Sequence, residues 1–158
     1  MSDLWATPQA LFEKLDAEFN FELDVCAIPE NKKCDRFFSP EQNGLTQEWS
    51  TPKKCLYAIW MNPPYGLEIE RWMKKAYETS LRGYTVVALI PNRSNAPWWH
   101  DYVMKASEIR FIKHKVSFEG EAEGVPFWGS VIVVFDHCGF STPRVSTYFQ
   151  PRHDKAAA

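Results

Sequence analysis

Two runs of strand length, "CLYAIWM" (Cys55–Met61) and "YTVVALI" (Tyr84–Ile90), carry no charged residue at all. They are apolar on both alternating faces, which suits a strand covered from both sides rather than one with a wet face. Between them, Ile69, Trp72, Met73, Ala76 and Leu81 recur at helical spacing, and Gly83 stands where a helix C-cap belongs. Strands alternate with helices here, and the inner strands are apolar throughout. The expected class is therefore α/β with a mostly parallel sheet.

Weaker signals fill in the rest. In "TPQALFEKLDAEFNF", Thr7 reads as an N-cap, Pro8 as the first helical residue, and Leu11, Leu15 and Phe19 as the apolar stripe of a helix ending near Asn20. "FELDV" (Phe21–Val25) alternates as a short strand does, and Pro29 opens a loop. A short strand is expected at Cys34–Phe38, a turn at Asn43-Gly44, a helix from about Pro97 to Ala106, and strands at Ile109–Lys113, Val116–Phe118 and Ser130–Phe135. Beyond Thr142 the chain reads as polar, so residues 1–148 are taken as one catalytic domain and 149–158 as a tail outside it.

Composition excludes several alternatives. With 158 residues, 45% hydrophobic, the chain can bury one core. No apolar stretch approaches the roughly 18 residues of a membrane span and no signal-peptide pattern opens the chain, so a cytoplasmic protein is expected. Cys26, Cys34, Cys55 and Cys138 show no CxxC spacing and read as reduced thiols; His100, His114, His137 and His153 show no ligand pattern, and no metal is expected. A net charge of −2 argues against broad attraction to polyphosphate but leaves room for a local patch from Lys74, Lys75, Arg82, Arg93, Lys113–Lys115 or Arg144, each of which can equally be a solvated charge.

The first buried run ends in Asn62-Pro63-Pro64-Tyr65. Prolines stop a strand, which explains two of the four residues. The tetrapeptide would arise by chance in a chain this long on the order of once in a thousand. An amino group conjugated to an aromatic ring is a poor nucleophile, and hydrogen bonds from its two N–H groups to fixed acceptors draw the nitrogen toward tetrahedral geometry. The Asn62 side-chain oxygen and the Pro63 carbonyl supply two such acceptors, braced by Pro64, which has no backbone donor to compete. Tyr65 offers a flat face for a flipped base, a contact of roughly 1–3 kcal/mol. In parallel sheets ligands gather at the carboxyl ends of strands, and Asp24 and Asn62 should share that edge.

The motif resembles the (D/N)PP(Y/F) signature of S-adenosylmethionine-dependent amino methyltransferases. With "LWATPQALFEKLDAEFNFELDVCAIPENKKCDRFF", "NGLTQEW", "ERWMKKAYE", "ALIPNRSNAPWWH" and "IRFIKHKVSFEGEAEGVPFWGSVIVVF" in order, the chain resembles the phage-type, Dam-like DNA N6-adenine methyltransferases over nearly all of residues 4–148. The resemblance implies a Rossmann-like methyltransferase sheet trimmed in its second and third strands. It implies S-adenosyl-L-methionine held by Trp5, Thr7, Pro8, Asp24, Cys26, Ala27, Asn31, Asn43 and Leu45, with Asp24 taking the amino group of the methionine moiety. Asn62, Pro63, Pro64 and Tyr65 are then the catalytic block. Asp35 is a candidate for the ribose hydroxyls, Arg93, Lys113 and Lys115 for DNA, and Ser130 for the base pocket. No GxG follows the first strand, so "DVCAIPEN" must form the cofactor loop in another way. Asn43 stands where the family usually has Asp, and "IKHK" where it has a Gly-Arg pair.

The implied activity is methyl transfer to adenine N6 in double-stranded DNA, in the host cytoplasm if the chain is of phage origin. The same chemistry on an RNA base or a protein glutamine amide remains an alternative, as does a non-catalytic nucleic-acid-binding module. A short palindromic target such as GATC is the family's suggestion, and the sequence gives no oligomeric state.

Overall fold

The computed structural model describes residues 5–119, 128–136 and 142–151. Seven strands form one sheet: β1 (Phe21–Asp24), β2 (Arg36–Phe37), β3 (Ala58–Met61), β4 (Thr85–Pro91), β5 (Glu108–Lys113), β6 (Ser130–Phe135) and β7 (Arg144–Phe149). The spatial order is β2-β1-β3-β4-β6-β5-β7. Only β6 is antiparallel to its neighbours, so six strands share one direction. The α1 helix (Gln9–Phe19) packs on one face; α2 (Ile69–Leu81) and α3 (Pro97–Asp101) pack on the other.

This is a Rossmann-like α/β sheet, as the two apolar runs require. Every residue of β3 is buried, and alternate residues serve opposite cores: Ile59 and Met61 face α2, while Trp60 faces Leu11, Phe12 and Leu15 of α1. The trimming is visible at one edge. β2 has two residues, and among the described residues no further strand lies outside it.

Several sequence expectations are corrected. Pro8, not Thr7, is the N-cap of α1 and helix begins at Gln9, because the Thr7 hydroxyl is used elsewhere. Asn20 closes the helix in the left-handed conformation (φ 60°), as its position suggested. Cys55 and Leu56 are exposed in a turn before β3. The helix expected over 97–106 breaks at Tyr102 (φ −127°) and continues as a single 3₁₀ turn, with Trp98 and Trp99 both buried. Val116–Phe118 is not a strand: Val116 and Phe118 plug the α1-side core, and the chain makes one bridge from Glu119 to Ala6.

β7 is a strand that the sequence reading left as polar tail. The boundary drawn at 148 falls inside it, one residue before its end, and Gln150 Nε2 reaches the Lys115 carbonyl at 3.1 Å. Residues 152–158, like Cys138 and His137, lie outside the described residues.

Arg110 holds this edge of the sheet to α1. Its guanidinium forks onto Glu18 at 2.7 and 2.6 Å, its Nε donates to Glu108 at 2.7 Å, and it lies over the rings of Phe19 and Tyr148. Glu108 in turn accepts from Arg144 of β7 at 2.6 Å. The hydrogen bonds to Glu18, then to Glu108, outweigh the desolvation and hold the Arg110 pKa above its usual value. Arg110→Met should therefore cost about 3 kcal/mol in denaturant unfolding, since it breaks three charge-assisted bonds around a buried group. An unchanged midpoint would mean that the edge is held by packing alone.

Candidate active site

β1 and β3 run side by side until Val25 N–H donates to the Trp60 carbonyl at 3.1 Å. There the chains part. The segment after β1 swings toward β2, with Phe38 N–H donating to the Asp24 carbonyl and Ala27 N–H to that of Phe38; the segment after β3 leaves toward α2. This is a topological switch point, and a crevice opens between the diverging ends.

The crevice is a cavity of about 350 Å³. Its β1 wall is a loop built without a glycine. Asp24 is 2% exposed and its carboxylate accepts from the backbone N–H groups of Cys26 (3.2 Å) and Lys33 (3.0 Å); Asn31 Oδ1 accepts from Ile28 N–H at 2.9 Å. Side-chain acceptors thus do the work a glycine-rich turn does elsewhere, curling the backbone around its own donors. Burial raises the Asp24 pKa to about 7 against the opposing pull of the Lys33 and Cys26 N–H groups and, more weakly, the Lys33 ammonium. The charged form of Asp24 is thus stabilised mainly by two backbone donors, and burial favours its neutral form.

The far wall carries Phe38, Ser39, Pro40, Asn43 and Gly44. Asn43 adopts φ 52° and caps the following 3₁₀ turn through Leu45 N–H at 3.2 Å. Gly44 is required here: a Cβ would lie 2.2 Å from the Val25 carbonyl oxygen and 3.1 Å from the Trp72 ring.

The end of β3 and the residues after it, Trp60 and Asn62 to Tyr65, complete the lining. Asn62 Nδ2 donates to the Trp5 carbonyl at 3.1 Å and to Thr7 Oγ1 at 3.2 Å, while Asn62 Oδ1 lies 3.0 Å from the Tyr65 hydroxyl. A carbonyl only accepts, so the amide must turn its NH₂ to Trp5 and its oxygen to Tyr65. The Tyr65 hydroxyl also lies 3.1 Å from the Leu89 carbonyl. It has one proton for two acceptors, and burial drives its pKa well above the ordinary phenol value, so the proton stays on. The Tyr65 ring meets Phe118 and Trp128 edge-on at centroid distances of 6.2 and 6.1 Å; Trp5 stacks on Trp128 at 5.7 Å, and the Arg93 guanidinium lies 5.6 Å from the Trp128 ring.

The structure brings most of the sequence candidates together. Trp5, Thr7, Asp24, Cys26, Ala27, Asn31, Asn43, Asn62, Pro63, Pro64 and Tyr65 all line one cavity. Pro8 and Leu45 do not: Pro8 is buried at the start of α1 and Leu45 packs into the core beside α2. Asp35 is exposed and off the cavity. Of the basic candidates, Arg93 adjoins the aromatic cluster, whereas Lys113 lies over Phe149 of β7 and Lys115 is held by its carbonyl to Gln150. Lys33, Phe38, Phe118 and Trp128 were missed. Only the loop position of Trp128 beside Gly129, just before an apolar strand, hinted at a role. Among the described residues no group of three His, Cys, Asp or Glu side chains is gathered for a metal, and no helix is long and apolar enough to cross a membrane.

The fold is thus a Rossmann-like sheet with a cavity at its switch point, lined by a buried carboxyl group and by an asparagine amide whose orientation is fixed by hydrogen bonds. The chain belongs to the DNA N-6-adenine-methyltransferase (Dam) family, whose profile matches residues 1–157. It is 38% identical over 112 residues to the DNA N-6-adenine-methyltransferase of Haemophilus phage HP1 (strain HP1c1), and 32% identical over 112 residues to that of Escherichia phage T1. Each match covers 70% of this chain but only 62% and 45% of the respective relative. A solved structure titled as a predicted O-methyltransferase, protein Atu636 from Agrobacterium tumefaciens, is similar over 99% of this chain and 87% of its own at 12% identity and TM-score 0.46; the fold assignment rests on the strand order instead.

The Asp24 environment has a consequence for stability. Its folded pKa of about 7 exceeds the ordinary 3.8, so the native state holds the proton longer than the unfolded chain. Its stabilising contribution is complete below pH 3.8 and is lost as pH rises to about 7. In denaturant titrations without ligand, the wild type should lose stability relative to Asp24→Asn across that interval. Parallel pH profiles for the two proteins would remove the buried carboxylate from the account.

Proposed function

We propose that the protein transfers a methyl group from S-adenosyl-L-methionine to the N6 amino group of adenine in double-stranded DNA. The observation that carries this reading is the Asn62 amide, held by its Nδ2 so that its oxygen is left as the acceptor, in a cavity that Asp24 also lines. Asp24 suits the α-ammonium of the cofactor, and Lys33, which lines the same cavity, suits its carboxylate. Asn43 and Phe38 are placed on the wall that would meet the nucleoside. When bound, the cofactor supplies an electrophilic methyl group on a sulfonium.

The protein's own contribution is to bind, orient and desolvate. Asn62 Oδ1 and the Pro63 carbonyl would accept the two N–H groups of the target amine and draw its lone pair out of the ring. Pro64 has no N–H to compete for those acceptors. The target base must leave the duplex to reach them, and the Tyr65 ring offers its stacking face, with Phe118, Trp128 and Trp5 behind it. The Tyr65 hydroxyl holds the place of one amine hydrogen at Asn62 Oδ1 and can turn its O–H to the Leu89 carbonyl, keeping its proton, when the base arrives. Asn62 is not a base at neutral pH, so the surplus proton on nitrogen passes to water after transfer. Arg93, exposed at the rim, is suited to a phosphate. A single catalytic domain in the cytoplasm, where both DNA and cofactor are found, goes with this reading.

Incubation with labelled S-adenosylmethionine and unmethylated DNA, RNA or protein, followed by hydrolysis, tests it. N6-methyladenine should appear in DNA, and Asn62→Ala should lower turnover by about 100-fold or more. Tyr65→Ala should cripple the reaction, whereas Tyr65→Phe, which keeps the ring and loses only the place-holding hydroxyl, should retain activity within a few-fold. Label confined to RNA or protein, or full activity in Asn62→Ala, would overturn the proposal.

A further inference from the structure

Thr7 sits 55 residues before the motif and is 1% exposed, yet it is neither the helix cap nor a core residue in the ordinary sense. Its Oγ1 accepts from Asn62 Nδ2 at 3.2 Å, and the Trp5 carbonyl accepts from the same nitrogen at 3.1 Å. Both amide hydrogens are therefore taken, and the oxygen is turned to the one remaining side, where it meets the Tyr65 hydroxyl at 3.0 Å. A free asparagine amide presents NH₂ or C=O to a neighbour at little difference in energy, because the two ends are nearly the same shape. Only one of those orientations can accept a hydrogen bond from an amino group.

The strap that carries both acceptors is itself pinned. Ala6 exchanges two backbone hydrogen bonds with Glu119, at 2.7 and 2.9 Å, and Trp5 is wedged between the rings of Phe118 and Trp128. Trp5 and Thr7, on either side of Ala6, are thus kept from drifting away from Asn62 together. We propose that Thr7 is a positioning residue for methyl transfer: with the Trp5 carbonyl, it locks the flip of the Asn62 amide so that Oδ1 faces the acceptor amine. This rests on the methyltransferase reading above and adds to it a residue that acts through Asn62. Thr7 also lines the cavity, so a direct contact with the cofactor is the competing role.

Thr7→Val keeps the shape and removes the acceptor; Thr7→Ser keeps the acceptor and removes a methyl group. Thr7→Val should lower kcat on DNA about tenfold, the effect of one lost hydrogen bond. The affinity for S-adenosylmethionine by calorimetry and KM for DNA should stay within about twofold. Thr7→Ser should retain wild-type turnover within the same margin. Independently of any reaction, the Asn62 side-chain amide hydrogens, followed by nuclear magnetic resonance, should exchange with solvent faster in Thr7→Val than in the wild type or Thr7→Ser.

Should Thr7→Val fail to fold, Thr7→Cys, with its weak acceptor sulfur, is read in its place. Unchanged Asn62 exchange in Thr7→Val would overturn the proposal. So would a loss of cofactor affinity as large as the loss of kcat, which would make Thr7 a cofactor contact. If the wild type methylates no DNA, the functional reading falls, while the exchange measurement still decides whether Thr7 holds Asn62.

Discussion

Everything in the site follows from the last rung shared by β1 and β3. Up to the Val25–Trp60 hydrogen bond the two strands hold each other in register; one residue later they need new partners. β1 finds them in Phe38 next to β2, and β3 turns over Pro63 and Pro64 toward α2. The space between cannot be filled by either strand, and Asp24, just before the parting, and Asn62, just after it, both line it. The trimming of the sheet beyond β2 leaves this intact, because the crevice needs one strand on the far side of β1 and no more.

Hydrogen-bond accounting at Asn62 ties that crevice to the rest of the chain. Three of the amide's bonds go to residues 5, 7 and 65, and the Tyr65 hydroxyl then reaches the Leu89 carbonyl of β4. The N-terminal strap, β3 and β4 are thereby joined through the side chains of Asn62, Thr7 and Tyr65. Such a network is expensive to leave half-satisfied, which favours a single arrangement. The slack in it is confined to one proton with two acceptors. That is where a substrate N–H can enter without any other bond being broken.

How much of this was legible in the sequence depended on whether the signal was local. β3, β4 and α2 were readable because burial on both faces and a 3.6-residue stripe are local patterns. β7 was not: Arg144, Val145, Ser146 and Thr147 are all exposed, and an edge strand with only Tyr148 half-buried looks like a polar tail. Val116 and Phe118 gave the opposite error, since alternation promised a strand where the chain only drops two plugs into the core. The Asn62 acceptor and the Asp24 wall could be placed by strand-end position alone. Thr7 could not be assigned correctly, because a Thr before a Pro and a helix satisfies the local rule for a cap, and the bond that claims it comes from far along the chain.

The distribution of charge bears on how so small a protein would meet a polyanion. With a net charge of −2, general attraction is absent, and the cations are scattered: Lys75 is spent on the carbonyls of Leu45 and Gln47, Arg82 on Trp49, Arg110 on its acidic partners. Arg93 is different because the aromatic cluster connects it to the acceptor. From its guanidinium the path runs over Trp128 to the edge of Tyr65 and on to Asn62, a series of flat surfaces from rim to amide. On the methyltransferase reading proposed above, a phosphate held at Arg93 would fix the register of the nucleotide as well as its affinity. Specificity for an amino group would then fall to Asn62, and the firmness of that choice to the residues that hold its amide still.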